Sequence, residues 1–311
     1  MPGPAAALLA DGRRLHLQHG PIDLIIEAWG EPGEVRAAYG QAVASFDGLL
    51  EMLVEELPQL RQPIAAPRPM LAGPVARRMV DAVWPHRQVF VTPMAAVAGA
   101  VADHVLARMV AGRQLARAYV NDGGDVAIHL AAGQTLALGM VADIAEPRID
   151  GTIRLGHADP VRGVATSGRG GRSFSLGIAD AVTVLAATAA DADAAATLIA
   201  NEVQVDHPAI RRQPAITLDP DSNLGERPVT VAVGELEPAA IATALERGAG
   251  AAEAMRRNGL IEAACLWLRG ECRVVGPLAL KRGEEPRGTL EGSADDAGGG
   301  HGHRGLRGHG S

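Results

Sequence analysis

The sequence predicts an α+β fold, in which helices and strands are mixed along the chain. Short apolar runs bounded by glycine or proline are typical of buried strands, and other segments repeat apolar residues every three or four positions, as helices do. An Asp-Gly step between two apolar runs indicates a hairpin, and therefore antiparallel pairing. Apolar residues make up 47% and charged residues 21% of the 311 positions. This balance is typical of a globular protein and excludes disorder throughout the chain.

The first half of the chain begins with a predicted strand over residues 21–30. Apolar residues from 35 to 57 then step by threes and fours, which predicts one long helix that Pro58 ends. Four prolines between 63 and 74 predict a loop, because each removes a backbone donor. A second helix is predicted over 97–109, and its first turns consist mainly of alanine and glycine. Such small side chains allow another backbone or a ligand to come close.

The second half is predicted to contain a hairpin, a helix and several further strands. Residues 117–130 hold two apolar stretches around an Asn-Asp-Gly-Gly-Asp sequence at 121–125, and tight hairpin turns need the positive φ that glycine adopts freely. A helix is predicted over 190–203, with Asp191 in its first turn, where the helix dipole favours a carboxylate. The remaining predicted elements are strands over 136–141, 181–187, 229–233, 260–267 and 273–275, and a helix over 238–257.

Composition argues against several classes of function. The formal net charge is −7 and aromatic residues are only 3% of the chain, so a nucleic-acid groove would lack both its positive field and its stacking rings. The only two cysteines, Cys265 and Cys272, do not have the spacing of a common metal motif, and we expect them to act as small buried apolar residues. No run approaches the ~20 apolar residues of a membrane span, and residues 1–14 do not resemble a signal peptide. We therefore expect a cytoplasmic protein.

The end of the chain differs in composition from the rest. Residues 283–311 are rich in glycine, acidic residues and histidine, and such a segment has too little apolar surface to order itself. We predict one domain over residues 1–282 and a disordered tail over 283–311. Metal binding by the tail histidines is the alternative, and a solvated tail is the preferred interpretation.

Asp193 and Thr197 carry the strongest local signal for chemistry. They stand four residues apart on the predicted helix, so their oxygen atoms lie on one face. A carboxylate and a hydroxyl group suit a hard cation such as Mg²⁺. The alternative is that Asp193 is a solvated residue of the first turn and that Thr197 bonds to the carbonyl four residues earlier.

A glycine-rich segment over 166–173 is the second candidate. It interleaves glycines with hydroxyl groups and two guanidinium groups, among them Ser167, Arg169 and Arg172, and exposed amides and arginines recognise anions. It does not have the sequence of a Walker loop, and a flexible surface turn is the alternative. Gly123 and Gly124 are either a hairpin turn only or a place where backbone approaches a ligand.

These segments, in this order and after the alanine-rich helix, resemble the ApbE superfamily, whose characterised members are Mg²⁺-dependent FAD:protein FMN transferases. Residues 121–125 resemble the double-glycine motif of that superfamily, and residues 192–197 resemble its Ala-Asp-Ala-x-x-Thr metal motif. The resemblance implies an ApbE-like α+β fold, with antiparallel sheets flanked by helices and two halves around a central cleft. It also implies a third metal ligand, the backbone carbonyl of Ala95, and a flavin contact at Thr92.

The chain departs from the transferases at charged positions. Thr92 stands where they have aspartate, Ala98 stands where they have lysine, and residues 177–180 replace their His-x-x-Asp-Pro segment. The segments around Thr92, Ser167 and 219–222 look closer to a cytoplasmic branch of the superfamily, uncharacterised protein family 0280. Membership of that branch does not name a reaction.

The sequence thus favours a Mg²⁺-dependent, transferase-like enzyme that binds FAD or another flavin or nucleotide. Arg169 and Arg172 would neutralise phosphate oxygens, and Asp180 is the nearby carboxylate that we nominate as catalytic proton acceptor. The alternative is a protein that binds a flavin, pterin or other phosphorylated cofactor, or acts in its biosynthesis, and has lost FMN transfer. We expect a phosphorylated small molecule as partner, with no nucleic acid and no membrane; whether the chain is a homodimer stays open.

Overall fold

A computed structural model describes residues 3–141, 150–171 and 173–277. Its strands are β1 (Ala5–Leu8), β2 (Leu15–His19), β3 (Ile22–Gly30), β4 (Leu115–Asp122), β5 (Asp125–Leu130), β6 (Thr135–Met140), β7 (Gly151–Gly156), β8 (Gly163–Ser167), β9 (Ala181–Ala186), β10 (Ile210–Pro214), β11 (Pro228–Val233), β12 (Ala263–Leu268) and β13 (Glu271–Val275). Its α-helices are α1 (Pro32–Phe46), α2 (Leu49–Glu55), α3 (Leu57–Leu60), α4 (Pro74–Val83), α5 (Val97–Val110), α6 (Ala189–Glu202), α7 (Ala215–Leu218) and α8 (Pro238–Arg257).

One large sheet runs through the molecule. Within the described residues it has nine strands in the order β1-β2-β3-β4-β5-β8-β9-β12-β13, and every neighbouring pair is antiparallel. Two antiparallel ribbons, β6-β7 and β10-β11, stand apart from it. The predicted α+β fold with antiparallel sheets flanked by helices is therefore confirmed.

Helices α5 and α6 lie side by side against the middle of this sheet, α5 on β4 and β5 and α6 on β8 and β9. One apolar core joins α1, α4 and α5 to strands β2 to β4, and a second joins α6 and α8 to β9 and β12. The β6-β7 ribbon contributes to a third apolar cluster with β5 and β8. The two small-residue helices therefore meet where the two main cores adjoin.

The prediction of one long helix over 35–57 is wrong, because this segment forms more than one helix. Helix α1 ends at Phe46, and the chain turns at Gly48, whose φ is +70°, before α2 begins. Glycine adopts this left-handed conformation without the steric cost that a side chain would add. Pro58 does not stop a helix either, because it lies in the first turn of α3, where its missing N–H is not needed.

The other predicted elements are present with small shifts at their ends, and α8 has the predicted bounds. The predicted proline-rich loop ends at Pro74, where the unpredicted helix α4 begins. Strands β1, β2, β7, β8 and β10 were also not predicted; β10 has the polar sequence Ile-Arg-Arg-Gln-Pro, which carries little strand signal.

The segment Pro93–Val110 is long and apolar enough to cross a membrane, but 56% of it is buried within the fold, as in a core helix; it is the only such segment in the described ranges. The predicted domain limit at 282 and the predicted tail over 283–311 lie outside the described residues and stay predictions, as does the cytoplasmic location.

Candidate functional site

The first turns of α5 and α6 touch at Gly99. A Cβ atom at this position would lie 2.2 Å from the carbonyl oxygen of Ala189, far closer than atoms can approach. The absence of a side chain therefore allows the two helices to pack backbone against backbone. This explains why the start of α5 is built from glycine and alanine.

Asp193 reaches across this contact to the start of α5. Its Oδ2 accepts a hydrogen bond of 3.1 Å from the backbone N–H of Gly99. Asp103 does the same in the opposite direction, because its Oδ1 and Oδ2 accept bonds of 3.1 and 3.0 Å from the N–H groups of Ala189 and Ala190. Each helix start is thus satisfied by a carboxylate of the other helix.

The bond from Gly99 to Asp193 has a consequence for Ala95. In an uninterrupted helix the Gly99 N–H would donate to the Ala95 carbonyl, four residues earlier. Here it donates to Asp193, and α5 begins only at Val97, after a 3₁₀ turn over Pro93–Ala96. The Ala95 carbonyl is therefore left out of the α5 hydrogen-bond ladder, at the helix start that the Asp193 carboxylate binds.

The surroundings of Asp193 disfavour its charged form. Burial is the largest cause and raises the pKa of this carboxyl group to about 7, and the nearby carboxylates of Asp122 and Asp103 add to the increase. The N–H groups of Gly99 and Ala98 oppose it only in part. A cation held at Asp193 would stabilise the ionised carboxylate.

Thr197 lies one turn after Asp193 on α6 and is partly buried. Within the described part of the chain, its hydroxyl group makes no hydrogen bond, including the bond to the carbonyl four residues earlier that the alternative interpretation required. Its oxygen is thus available to coordinate a cation.

The double glycine forms the turn of the β4-β5 hairpin. Gly123 and Gly124 have φ values of +63° and +119°, and the Oδ1 of Asn121 accepts a 2.9 Å bond from the N–H of Gly124. No described atom lies within 4 Å of the position that a Cβ of Gly124 would take, so the turn leaves open space beside it. Asp122, the residue before the turn, brings the hairpin close to Asp193.

The glycine-rich segment follows β8, in which Ser167 is the last residue and pairs with Val182. Beyond it, Arg169 is exposed and its Nη2 donates a 2.8 Å bond to the Oδ1 of Asp180. The Oδ2 of Asp180 accepts a 2.5 Å bond from the backbone N–H of Arg269. Asp180 therefore positions Arg169. Arg172 lies outside the described residues.

Thr92 is buried immediately before the Pro93–Ala96 turn, with 2% of its surface exposed. Its Oγ1 accepts a 2.7 Å hydrogen bond from the Nδ2 of Asn223, on the loop that joins α7 to β11. The same loop places the guanidinium of Arg227 over the Phe90 ring at 3.4 Å. Sequence reasoning missed Asn223, although the neighbouring 219–222 segment was part of the family resemblance.

The structure therefore brings Ala95, Asp122, Asp193 and Thr197 to one region. The donors are a carbonyl, carboxylates and a hydroxyl, all oxygen atoms, as hard divalent cations prefer. No group of three His, Cys, Asp or Glu side chains that could hold a metal occurs among the described residues. A cation here would thus depend on backbone and hydroxyl oxygens together with carboxylate.

The family model described as AbpE bacteria matches residues 6–274. The UPF0280 protein MK0206 of Methanopyrus kandleri is 38% identical over 151 residues, which cover 48% of this chain and 58% of that protein. A UPF0280 protein of Methanothermobacter thermautotrophicus is 35% identical over 166 residues, which cover 52% of this chain and 62% of that protein. The chain thus spans about three fifths of the length of these relatives.

Two solved structures align over most of the chain. The flavin transferase ApbE from Vibrio cholerae is 13% identical, with a TM-score of 0.45 and coverage of 87% of this chain and 97% of that one. The apo form of the flavinyl transferase ApbE from Pseudomonas stutzeri is also 13% identical, with a TM-score of 0.40 and coverage of 88% and 93%.

Proposed function

The chain belongs to the family described as AbpE bacteria, and we propose that it binds a flavin or similar phosphorylated nucleotide together with Mg²⁺ and acts as a transferase-like enzyme. Its similarity to the UPF0280 proteins supports a place in that branch of the ApbE-like superfamily. The names of the aligned transferases mention flavin, and the oxygen donors at the start of α5 fit a divalent cation. The ligand would bind between the starts of α5 and α6 and the β4-β5 turn.

One observation carries the metal assignment. The Gly99 N–H donates to Asp193 instead of to the Ala95 carbonyl, so a carboxylate and a carbonyl outside the α5 ladder lie at the same helix start. A partly buried carboxylate beside other carboxylates is costly to ionise. Asp193, Thr197 and the Ala95 carbonyl would hold Mg²⁺, and that arrangement explains why the cost is tolerated.

The remaining predicted residues have roles that suit an anionic ligand. Arg169 is exposed and oriented by Asp180, so its remaining N–H groups can bind phosphate. Ser167 and Arg172 would assist from the same segment. Gly123 and Gly124 would let the ligand approach the backbone of the turn.

Bound magnesium would offset the negative charge on the phosphate groups of the nucleotide during transfer. Asp180 is the proposed proton acceptor for an incoming hydroxyl group, and it would act while it holds Arg169. Thr92 would contact the flavin. Its hydroxyl oxygen already accepts the amide of Asn223, so the two side chains would recognise the ligand as a pair.

A second candidate function rests on the same position. Thr92 and Ala98 are uncharged where the transferases carry aspartate and lysine, and the Thr92 hydroxyl is bound by Asn223 rather than by a basic group. This favours a protein that binds a flavin, pterin or other phosphorylated cofactor, or takes part in its biosynthesis, without FMN transfer.

Incubation of the full chain with FAD, MgCl₂ and a threonine-bearing acceptor protein tests both candidates. Transfer predicts flavin fluorescence on the acceptor after denaturing electrophoresis, and Asp193→Asn should abolish it. Binding alone predicts a Mg²⁺-dependent rise in melting temperature with no labelled acceptor, because a ligand at a hundredfold excess over its Kd stabilises by about 2.7 kcal/mol. If FAD and other nucleotides change neither signal, the proposed function is wrong.

A further inference from the structure

Cys265 and Cys272 lie on two paired strands at one end of the large sheet. Cys265 is opposite Val274, and Cys272 is opposite Trp267, so the two cysteines occupy diagonal positions on the same face of the β12-β13 hairpin. Their Sγ atoms are 3.2 Å apart. Both pack with Ala181 and Trp267 in a small apolar cluster.

This separation is only about 1 Å longer than the ~2.05 Å of a disulfide bond. Strand β12 is held on both sides, by β9 and by β13. Strand β13 is the last strand of the sheet, its only partner within the described residues is β12, and most of its residues are exposed. A small shift of β13, with rotation of the side chains, can therefore close the gap.

The two thiols differ in access. Cys265 has no exposed surface, whereas Cys272 is partly exposed. An oxidant in solution would thus meet Cys272 first, and the buried Cys265 stands within contact distance to complete the reaction. This arrangement, an accessible thiol beside a second one, is what a two-step thiol oxidation needs.

We propose that Cys265 and Cys272 are a reversible redox site that takes a small organic disulfide, of the glutathione disulfide class, as its oxidant. The Cys272 thiolate attacks one sulfur atom of the oxidant, forms a mixed disulfide and releases one thiol. Cys265 then attacks the Sγ of Cys272 and releases the second thiol. The protein loses two electrons and two protons, and one disulfide is reduced to two thiols. This proposal is independent of the proposed function.

The cysteine pair adjoins the hydrogen bonds that Asp180 makes with Arg269 and Arg169. The turn of the same hairpin contains Arg269, whose N–H binds Asp180, and Asp180 holds Arg169. Oxidation or reduction of the two cysteines therefore takes place in the hairpin whose turn binds Asp180, the residue that orients Arg169.

The chain contains only these two cysteines, which makes the test direct. The full chain is equilibrated with mixtures of oxidised and reduced glutathione. Free thiols are then alkylated under denaturing conditions, and the mass of the protein and of its peptides is measured by mass spectrometry. We expect both thiols to be lost together, with a single peptide linking positions 265 and 272, and dithiothreitol to restore both. Cys272→Ser should leave Cys265 unmodified, and Cys265→Ala should accumulate a mixed disulfide at Cys272.

Three results would overturn the proposal: a stable mixed disulfide at Cys272 in the unaltered chain, a disulfide between two copies of the chain, or two intact thiols in excess oxidised glutathione. The peptide map of the unaltered chain decides among these outcomes even if a cysteine variant does not fold.

Discussion

Asp103 and Asp193 cap each other's helices, since each carboxylate accepts hydrogen bonds from the first N–H groups of the helix that carries the other. The two residues differ in one respect. Asp193 binds the N–H of Gly99, the group that would donate to the Ala95 carbonyl in a longer helix, and only Asp193 belongs to the proposed metal site. The pair therefore offers a matched comparison between a capping carboxylate and one that also serves the proposed metal site.

Asp193→Asn should remove Mg²⁺ binding, whereas Asp103→Asn should leave the Mg²⁺ affinity within about threefold. Asparagine at 193 keeps an oxygen that can accept the Gly99 bond. Asparagine at 103 keeps one of the two bonds to Ala189 and Ala190, so this variant should fold with a lower melting temperature. Isothermal calorimetry with MgCl₂ measures the affinity, and thermal unfolding checks the fold. Equal Mg²⁺ affinity for Asp193→Asn and the unaltered chain would remove Asp193 from the site.

Gly99→Ala should destabilise the protein by about 1–3 kcal/mol, because the new methyl group overlaps the Ala189 carbonyl and forces α5 and α6 apart. Gly40→Ala is the matched control. It lies on α1, with no described atom within 4 Å of the added Cβ, and should stabilise by a few tenths to ~1 kcal/mol through helix propensity. Urea unfolding measures both changes. Similar effects of the two variants would contradict the close helix contact at Gly99.

Thr92→Asp combined with Ala98→Lys should raise the affinity for FAD above that of the unaltered chain. Burial of one of these charges alone is costly, whereas the pair can compensate, so each single variant should bind FAD no better than the unaltered chain. The Thr92→Asp change also keeps an acceptor for the Asn223 amide, and Ala98 is partly exposed, which leaves room for lysine. Flavin fluorescence titration measures the affinities. Tighter binding by the unaltered chain than by the double variant would refute this account of the departures.

His86 should make the protein less stable in acid. The side chain is 9% exposed, and burial lowers its pKa below the ordinary value of 6.5. The unfolded chain therefore binds more protons below about pH 6.5, so the stability contributed by neutral His86 is present above that pH and is lost as the pH falls. The free energy of unfolding should drop more between pH 7.5 and pH 5.5 for the unaltered chain than for His86→Gln. Equal drops would show that His86 stays neutral in both states or is exposed.

Local patterns predicted the elements that depend on near neighbours. Helix α8 begins with Pro238 in its first turn and keeps one apolar face, and the hairpin turn at Gly123 needs only residues that accept positive φ. Asp193 and Thr197 share a helix face because of their spacing alone. In each of these cases the signal and the structure lie within one or two turns of chain.

The break in the predicted long helix shows the limit of such patterns. Apolar spacing continues from α1 through α2, yet the left-handed conformation of Gly48 separates the two helices. Periodicity reports which residues are buried, and two helices packed on one core bury the same kinds of residue as one longer helix. The shape of the core decides whether the segment forms one long helix or two shorter ones.

Backbone preference and residue spacing suffice to predict the α+β class, the shared helix face of Asp193 and Thr197, and the double-glycine turn. Tertiary packing is needed to place Asp193 at the start of α5 and to bond Thr92 to Asn223, 131 residues away. Tertiary packing also brings Asp180 into contact with Arg169 and Arg269. Those contacts join residues that are distant in the chain. They form because packing of α5 against α6, and of the strands into one sheet, brings the chain segments together, and no local preference encodes which distant segments will meet.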